Sequence, residues 1–164
     1  MHEVLRALNR LVADGVIASY AIGGAIGAAF YIEAVQTEDV DAFVVLPLSI
    51  SGLLTLDPIY EALRRQGGVV EREFVRFGEW PLQILPDSDA LTAEAIQDAI
   101  AVDYEGTPTR VFRAEHLCAI ALQTGRAKDY LRVQMFLEQS AVDHAILSDI
   151  LQRFHLADRM ERLK

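Results

Sequence analysis

Two aspartates at the start of a hydrophobic stretch constrain the fold of this chain more than any other feature. Asp39 and Asp41 flank a single valine and lead into the apolar run "AFVVL". On a β-strand, residues two apart point to the same side, so both carboxylates share one face. Two buried carboxylates repel each other and lose hydration unless a cation or a water-filled cleft receives them. The pattern therefore predicts a buried strand whose beginning faces a cation or an open cleft.

A glycine pair precedes these aspartates. The segment 16–22, "VIASYAI", predicts a strand that ends at Gly23 and Gly24, and the small-residue segment 25–34 predicts a short helix. Backbone amides at such a strand-to-helix turn can face a phosphate. The glycine spacing fits neither G-x-G-x-x-G nor the P-loop pattern. A tight turn with close helix packing is the alternative interpretation.

The remaining patterns predict a mixed α/β fold with a helical end. Segments 69–78 and 80–86 predict one strand each, 102–112 predicts a hairpin, and Asp57-Pro58 begins a helix. From Ala114 onward every segment has a helical pattern. We therefore expect a small mixed sheet in an α/β core over residues 1–113, and a helical bundle over 114–164 packed on it.

Composition excludes several classes of protein. The 164 residues include 15 basic and 24 acidic side chains, and a net charge of −9 argues against a broad duplex-DNA footprint. No apolar run is long enough for a membrane span, and a single cysteine, Cys118, cannot form a disulfide scaffold. We expect a cytoplasmic protein. The four histidines show no spacing typical of a metal site.

The order of strand, glycine pair, short helix, threonine, D-x-D and apolar strand resembles the nucleotidyltransferase fold of the polymerase-beta type. The similarity is greatest to small bacterial AbiEii-like and antitoxin-type members. The resemblance implies that Gly23 and Gly24 hold a nucleoside triphosphate and that Asp39 and Asp41 hold a catalytic Mg²⁺ or Mn²⁺ ion. Thr37 matches the same motif and would support the loop that carries the aspartates.

A second resemblance to this group lies in the helices, where "EHLCAIALQTGRAKDYLRVQMFLE" contains an Arg-x-Lys-Asp turn. Arg126 and Lys128 are cations able to reach a phosphate, and Asp129 can orient one of them. The alternative is an exposed turn between helices with a local salt bridge of little energetic value.

Three positions depart from the family pattern. Gln83 stands where a later strand usually supplies a third carboxylate, and an amide cannot take a proton. Ala121 replaces a lysine in the helix before the Arg-x-Lys-Asp turn, and Arg132 replaces an aspartate one turn after it. Four other carboxylates could substitute, although none is in register: Glu73, Glu79, Asp87 and Asp89.

The resemblance leads to two functional hypotheses. The first is metal-dependent transfer of a nucleotidyl group from an NTP to a protein or tRNA acceptor. The second is a catalytically degenerate member that binds a nucleotide or a partner, such as the cognate half of a toxin–antitoxin pair. A third interpretation is a purely structural D-x-D in an unrelated α/β domain. It would be favoured if the glycine pair lay away from the aspartates.

Overall fold

A computed structural model describes residues 1–33, 37, 39–47, 55–161 and 163. The helices in this part of the chain are α1 His2–Ala13, α2 Gly24–Ala28, α3 Asp57–Arg65, α4 Ala90–Gln97, α5 Ala114–Thr124, α6 Ala127–Glu138, α7 His144–Arg153 and α8 Ala157–Glu161. The strands are β1 Ser19–Ile22, β2 Val40–Val45, β3 Val69–Glu71, β4 Phe74–Phe77, β5 Trp80–Pro86, β6 Ile100–Tyr104 and β7 Thr107–Val111. The α/β class predicted from the sequence is confirmed.

The strands form one mixed seven-stranded sheet in the order β3-β4-β5-β2-β1-β7-β6. β1 pairs with β2 antiparallel, whereas β2 pairs with β5 and β1 with β7 in parallel. The β3-β4-β5 and β6-β7 neighbours are antiparallel. As a result, the beginning of β2 lies between the end of β1 on one side and the beginning of β5 on the other.

Alternation along β2 defines the first face of the sheet. Val40, Ala42 and Val44 are fully buried there and pack with Leu8 of α1 and Leu63 of α3. Residues two apart share one side of a strand, so the hydrophobic run need bury only every second side chain on this face. The other β2 positions, including Asp41, are left for the opposite face.

The second face is covered by the helices that follow the sheet. Phe43 and Val45 of β2 pack into a second apolar cluster with Phe112, Leu117 of α5 and Phe136 of α6. The rings of Phe43 and Phe112 are 4.8 Å apart between centroids. The division at residue 113 stays a prediction, and this cluster draws side chains from both sides of it. On the same face, β5 and β4 line an open cleft.

Two element predictions were wrong. Segment 69–78 is not one strand but the hairpin β3-β4, whose turn contains Arg72 at a φ of 58°. A few non-glycine residues accept positive φ in turns, and the alternating pattern hid this one. α2 ends at Ala28, well short of the predicted end at residue 34.

The strand predicted over 16–22 is shorter in the structure, where β1 begins at Ser19. β5, the β6-β7 hairpin and the helix that begins at Asp57 are confirmed. The irregular segment "SISGLLTL", 49–56, predicts a loop, and its residues 49–54 lie outside the described residues. Among the described helices, none is both long enough and apolar enough to cross a bilayer.

Candidate functional site

The antiparallel pairing of β1 and β2 brings the glycine turn to the aspartates. Ile22, the last residue of β1, lies opposite Ala42, and the Gly23 amide donates a hydrogen bond to the Asp41 carbonyl at 3.0 Å. Gly23 precedes the first residue of α2, so the turn into this helix lies directly beside the start of β2. The interpretation that required these two features to be far apart loses its support.

Gly24 fits this position because it lacks a side chain. Its φ is +57°, a left-handed conformation that glycine adopts without steric cost. A Cβ on Gly24 would overlap the Asp41 Oδ2 oxygen. The backbone of the turn therefore lies directly against the Asp41 carboxylate.

Asp39 and Asp41 both line the cleft, and Thr37 makes a local hydrogen bond to Asp39. The hydroxyl of Thr37 lies 3.2 Å from Oδ1 of Asp39 and 3.3 Å from its carbonyl oxygen. Burial and the adjacent Asp39 raise the pKa of Asp41 to about 6, against the lowering effect of Arg132, Arg126 and Lys128. A divalent cation would relieve this conflict, and carboxylate oxygens are ligands that suit Mg²⁺ and Mn²⁺. The donor set thus fits the ion implied by the resemblance.

The opposite wall of the cleft comes from α6. Asp129 is only 1% exposed and accepts hydrogen bonds from the Arg126 amide at 3.3 Å and Nε at 2.7 Å. Arg132 contacts the same carboxylate through Nη1 at 3.6 Å. Asp129 thereby fixes two arginines at the beginning of the helix, while the Arg126 side chain stays 61% exposed.

Arg132 is the more buried of the two arginines, with 11% of its side chain exposed. Its Nε is buried and has no hydrogen-bond partner among the described residues. A buried donor without an acceptor is costly, so an anion in the cleft would satisfy it. Arg126, Lys128 and Arg132 all line the cleft, which gives its helix wall three cations.

The floor of the cleft is formed by β5 and β4. Gln83 is the direct neighbour of Asp41 across the parallel β2-β5 pair, and Phe74 of β4 is in turn the antiparallel partner of Gln83. Arg76 also lines this floor, and its Nε donates to Glu71 at 3.1 Å. An amide therefore occupies the strand position beside the aspartates.

The four candidate substitute carboxylates lie elsewhere. Asp89 caps α4 by accepting from the Thr92 amide at 2.8 Å, and Asp87 follows the far end of β5. As far as the lining is described, the cleft contains none of Glu73, Glu79, Asp87 or Asp89. Its described carboxylates are Asp39, Asp41 and Asp129. The described lining therefore has no family-like proton acceptor on β5, so a reaction in this cleft would have to proceed without one.

The cleft is large enough for a nucleotide and part of a second substrate. It has a volume of about 970 Å³, at the upper end of small-molecule sites. Apolar side chains of Phe43, Phe112, Leu117 and Ile120 line it beside the charged groups. All seven residues singled out from the sequence lie at or beside this one cleft: Gly23, Gly24, Thr37, Asp39, Asp41, Arg126 and Lys128.

A second group of possible metal ligands lies outside the cleft lining. Glu94, Asp98 and His116 could offer atoms within 4.8 Å of one another. Glu94 already accepts from Arg153 Nη1 at 2.6 Å and Nη2 at 2.8 Å, and the buried His116 ring lies 3.1 Å from the same carboxylate. Arg153 thus occupies the Glu94 carboxylate, while Nδ1 of His116 is buried without a hydrogen-bond partner among the described residues. Because an arginine already neutralises the carboxylate of this cluster, we interpret it as structural.

Sequence reasoning missed two parts of the cleft. Arg76 was overlooked because the β3-β4 hairpin was taken as one strand, although the Gly78-Glu79 turn before β5 marks β4 as its neighbour. Arg132 was noted only as a departure from the family pattern. Its spacing of three residues from Asp129 on a helix was the available signal.

Comparison with known structures shows what this fold is similar to. The seven-stranded sheet and its helices have the nucleotidyltransferase-type fold. An antigenic nucleotidyltransferase-like protein from Paracoccidioides brasiliensis is similar at a TM-score of 0.59 and 15% identity, over 98% of this chain and 91% of that one.

Two structures of the antibiotic-resistance factor ANT(2'')-Ia are also similar. One, in complex with adenylyl-2''-tobramycin, gives a TM-score of 0.58 at 13% identity over 99% of this chain and 98% of the other. The other, a solution structure, gives 0.51 at 13% identity over 99% and 97%. No family model and no curated protein sequence matches the chain.

Proposed function

We propose that the cleft binds a nucleoside triphosphate with a divalent cation and transfers its nucleotidyl group to an acceptor. The observation that carries this proposal is the pairing of two conflicting carboxylates, Asp39 and Asp41, with three cations across one cleft. A metal–triphosphate complex has the charges that both walls lack: positive beside the aspartates and negative beside the arginines.

Each wall then has a defined role. Asp39 and Asp41 would hold Mg²⁺ or Mn²⁺, which neutralises phosphate charge when bound. Gly23 and Gly24 would hold the phosphates through the backbone of the turn, as the family resemblance implies. Arg126 and Lys128 would contact the phosphates from the exposed beginning of α6, and the buried Nε of Arg132 would donate to them from deeper in the cleft.

Finer features rest on the family resemblance. A protein or tRNA acceptor and a place among the AbiEii-like or antitoxin-type members are proposals from the two motifs. So are a cognate toxin or antitoxin partner and a cytoplasmic location. ANT(2'')-Ia carries an adenylylated aminoglycoside in its complex, and that neighbour supports a small-molecule acceptor as well.

The second candidate function is nucleotide or partner binding without catalysis. Gln83 supports it, since the β5 position beside Asp41 offers no proton acceptor. Transfer and nucleotide binding both require metal-dependent NTP binding by the same residues, whereas partner binding alone does not. They differ in whether a label moves from the nucleotide to an acceptor.

Label transfer tests both candidates. Purified protein is incubated with Mg²⁺ or Mn²⁺, each α-labelled NTP, and pooled tRNA plus the protein itself as acceptors. A double variant, Asp39→Ala/Asp41→Ala, runs beside Asp14→Ala/Asp158→Ala, whose exposed aspartates lie outside the described cleft lining. Label that requires Asp39 and Asp41 but not the control pair is the expected result. Metal-dependent NTP binding without transfer would select the second candidate in its nucleotide-binding form. No NTP binding would contradict transfer and nucleotide binding, and would leave only partner binding.

A further inference from the structure

The floor of the cleft lies on the opposite flank of Asp41 from the glycine turn. β2 separates β1, which leads into Gly24, from β5, which carries Gln83. Beyond Gln83 the floor continues into β4 with Phe74 and Arg76. We divide the lining of this single cleft into two compartments, one by the glycine turn and α6, and one over β5 and β4.

The chemistry of nucleotidyl transfer assigns the second compartment to the acceptor. The attacking and leaving oxygens lie roughly in line across the reacting phosphorus. If the glycine turn and the α6 cations hold the leaving pyrophosphate, the attacking group approaches from the β5-β4 side. The acceptor thus meets Gln83, Phe74 and Arg76 rather than the helix wall.

This compartment is poorly suited to an attacking hydroxyl. A hydroxyl has to lose a proton as it attacks, and Gln83 cannot accept one. Among the described carboxylates of the cleft, Asp39 and Asp41 are committed to the metal in the proposed function. Asp129 is buried and held by Arg126 and Arg132. A nucleophile that is already ionised at neutral pH needs no such group.

Arg76 adds a positive reason for an ionised acceptor. It is the cation on the described floor, and it faces the cleft from β4 while its Nε holds Glu71. A guanidinium carries five donors in a planar fork, so contact with Glu71 at one edge leaves donors for an anion at the other. Phosphate and carboxylate groups match that fork.

We infer that the acceptor is an oxyanion, a phosphate monoester or a carboxylate, which Arg76 holds over Gln83. This inference rests on the proposed function. An ionised acceptor oxygen forms a bond to the α-phosphorus of the NTP, and the bond from that phosphorus to the bridging oxygen breaks. Pyrophosphate leaves with the electron pair, and no proton is transferred in the step. Arg76 is a specificity-determining residue, since it selects the charge of the acceptor.

Three matched probes test the inference: ribose, ribose 5-phosphate and ribonate, which differ in whether the molecule is neutral, phosphorylated or carboxylated. Each is incubated with α-labelled ATP and Mn²⁺, and the labelled product is measured with pyrophosphate release. We expect transfer to at least one ionised probe at a rate tenfold or more above that to ribose. Comparison of ribose 5-phosphate with ribonate then identifies which anion the site prefers.

Substitutions at three positions test which residue causes the preference for an ionised acceptor. Arg76→Gln should raise the KM for the preferred ionised probe at least fivefold and weaken its direct calorimetric binding equally, with NTP affinity unchanged. Arg65→Gln, an exposed arginine of α3 outside the described cleft lining, should change neither. Gln83→Glu restores a proton acceptor and should raise transfer to ribose relative to the ionised probes.

Equal or faster transfer to ribose by the unmodified protein would overturn the inference, as would an Arg76→Gln variant with unchanged KM and binding. Metal-dependent ATP binding without transfer to any probe would also overturn it, while leaving nucleotide binding in place. Loss of ATP binding itself would instead contradict the proposed function. The two failures are therefore distinguishable.

Discussion

Two groups of acidic side chains in this protein have opposite electrostatics. In the cleft, burial and the adjacent Asp39 raise the pKa of Asp41 to about 6. On α4, hydrogen bonds from Arg153 lower the pKa of Glu94 to about 2, with a further hydrogen bond from His116. The first group carries like charges that the protein leaves in conflict. In the second, Arg153 of the same chain neutralises the Glu94 carboxylate.

This difference separates a binding site from a structural cluster. Glu94, Asp98 and His116 lie close enough together to suggest a metal site, yet an arginine already occupies the carboxylate. Asp39 and Asp41 form a smaller group whose charges the chain does not fully offset. Strongly perturbed ionisable groups in a cleft are candidates for function because the ligand supplies the missing interaction. This contrast supports the aspartates, rather than the Glu94 cluster, as the site of the proposed metal.

The largest effect of a single substitution on NTP affinity is expected at the glycine turn. Gly24→Ala would force a left-handed backbone, at about 1–2 kcal/mol, and place a methyl group on the Asp41 carboxylate. We expect NTP affinity to fall about tenfold or more, which corresponds to about 1.4 kcal/mol. Gly67→Ala is the matched control, because Gly67 also has a positive φ but a Cβ there meets nothing within 4 Å. Equal losses of NTP affinity in both variants would show that the Asp41 contact is unimportant.

The conflict at Asp41 should appear as pH-dependent stability. Its pKa lies near 6 in the folded protein and near 3.8 ordinarily, so the folded state binds the proton more tightly. Stability is therefore lost as pH rises from about 4 to 6 and stays reduced above that range. Asp41→Asn should raise the free energy of unfolding by about 3 kcal/mol at pH 7.5, and by almost nothing at pH 3.5.

Denaturant unfolding at both pH values measures this effect, with Asp14→Asn as an exposed control. Addition of Mg²⁺ should narrow the gap at pH 7.5, because the ion stabilises only the carboxylate form. If Asp41→Asn is less stable than the wild type at pH 7.5 without metal, the Asp41 carboxylate does not destabilise the folded protein and this account is wrong.

A smaller effect is expected at Arg132. Arg132→Gln removes a buried donor from the helix wall and should weaken NTP binding about fivefold, or about 1 kcal/mol. Arg159→Gln is the control, because Arg159 donates to backbone carbonyls of α5 and does not line the described cleft. Calorimetric titration with a non-hydrolysable NTP analogue would measure both. An unchanged affinity in Arg132→Gln would remove this arginine from the proposed site.

The smallest effect is a change in Tm, which we expect at the cluster of Glu94, Asp98 and His116. Glu94→Gln loses the paired hydrogen bonds with Arg153 and weakens the contact with His116, so Tm should fall by on the order of 3 °C. Because the lowered pKa of Glu94 favours its charged form, this contribution exists above about pH 4.5 and disappears as pH falls toward 2. NTP affinity should not change. A loss of metal-dependent NTP binding would show that this cluster takes part in function.

Cleft residues that are close together in the chain could be predicted from the sequence, whereas several contacts between distant segments could not. Asp39, Asp41 and the glycine pair lie within about twenty residues, and the family resemblance in their order implied that they meet in one cleft. Gln83 was also placed correctly beside Asp41, from family register. Arg76 depends on a hairpin that alternation alone did not show. The Glu94–His116–Arg153 cluster joins three helices, and single-chain spacing does not reveal such long-range contacts.

Direct titration of the metal and nucleotide tests the central proposal most simply. Mn²⁺ and a non-hydrolysable NTP analogue are titrated by calorimetry, together and separately, into the wild type and into Asp39→Asn/Asp41→Asn. We expect the wild type to bind the analogue at least tenfold more tightly with Mn²⁺ than without it, and the double variant to lose that gain while remaining folded. Binding that is indifferent to Mn²⁺, or a gain that survives in the double variant, would contradict a metal–triphosphate site at the two aspartates.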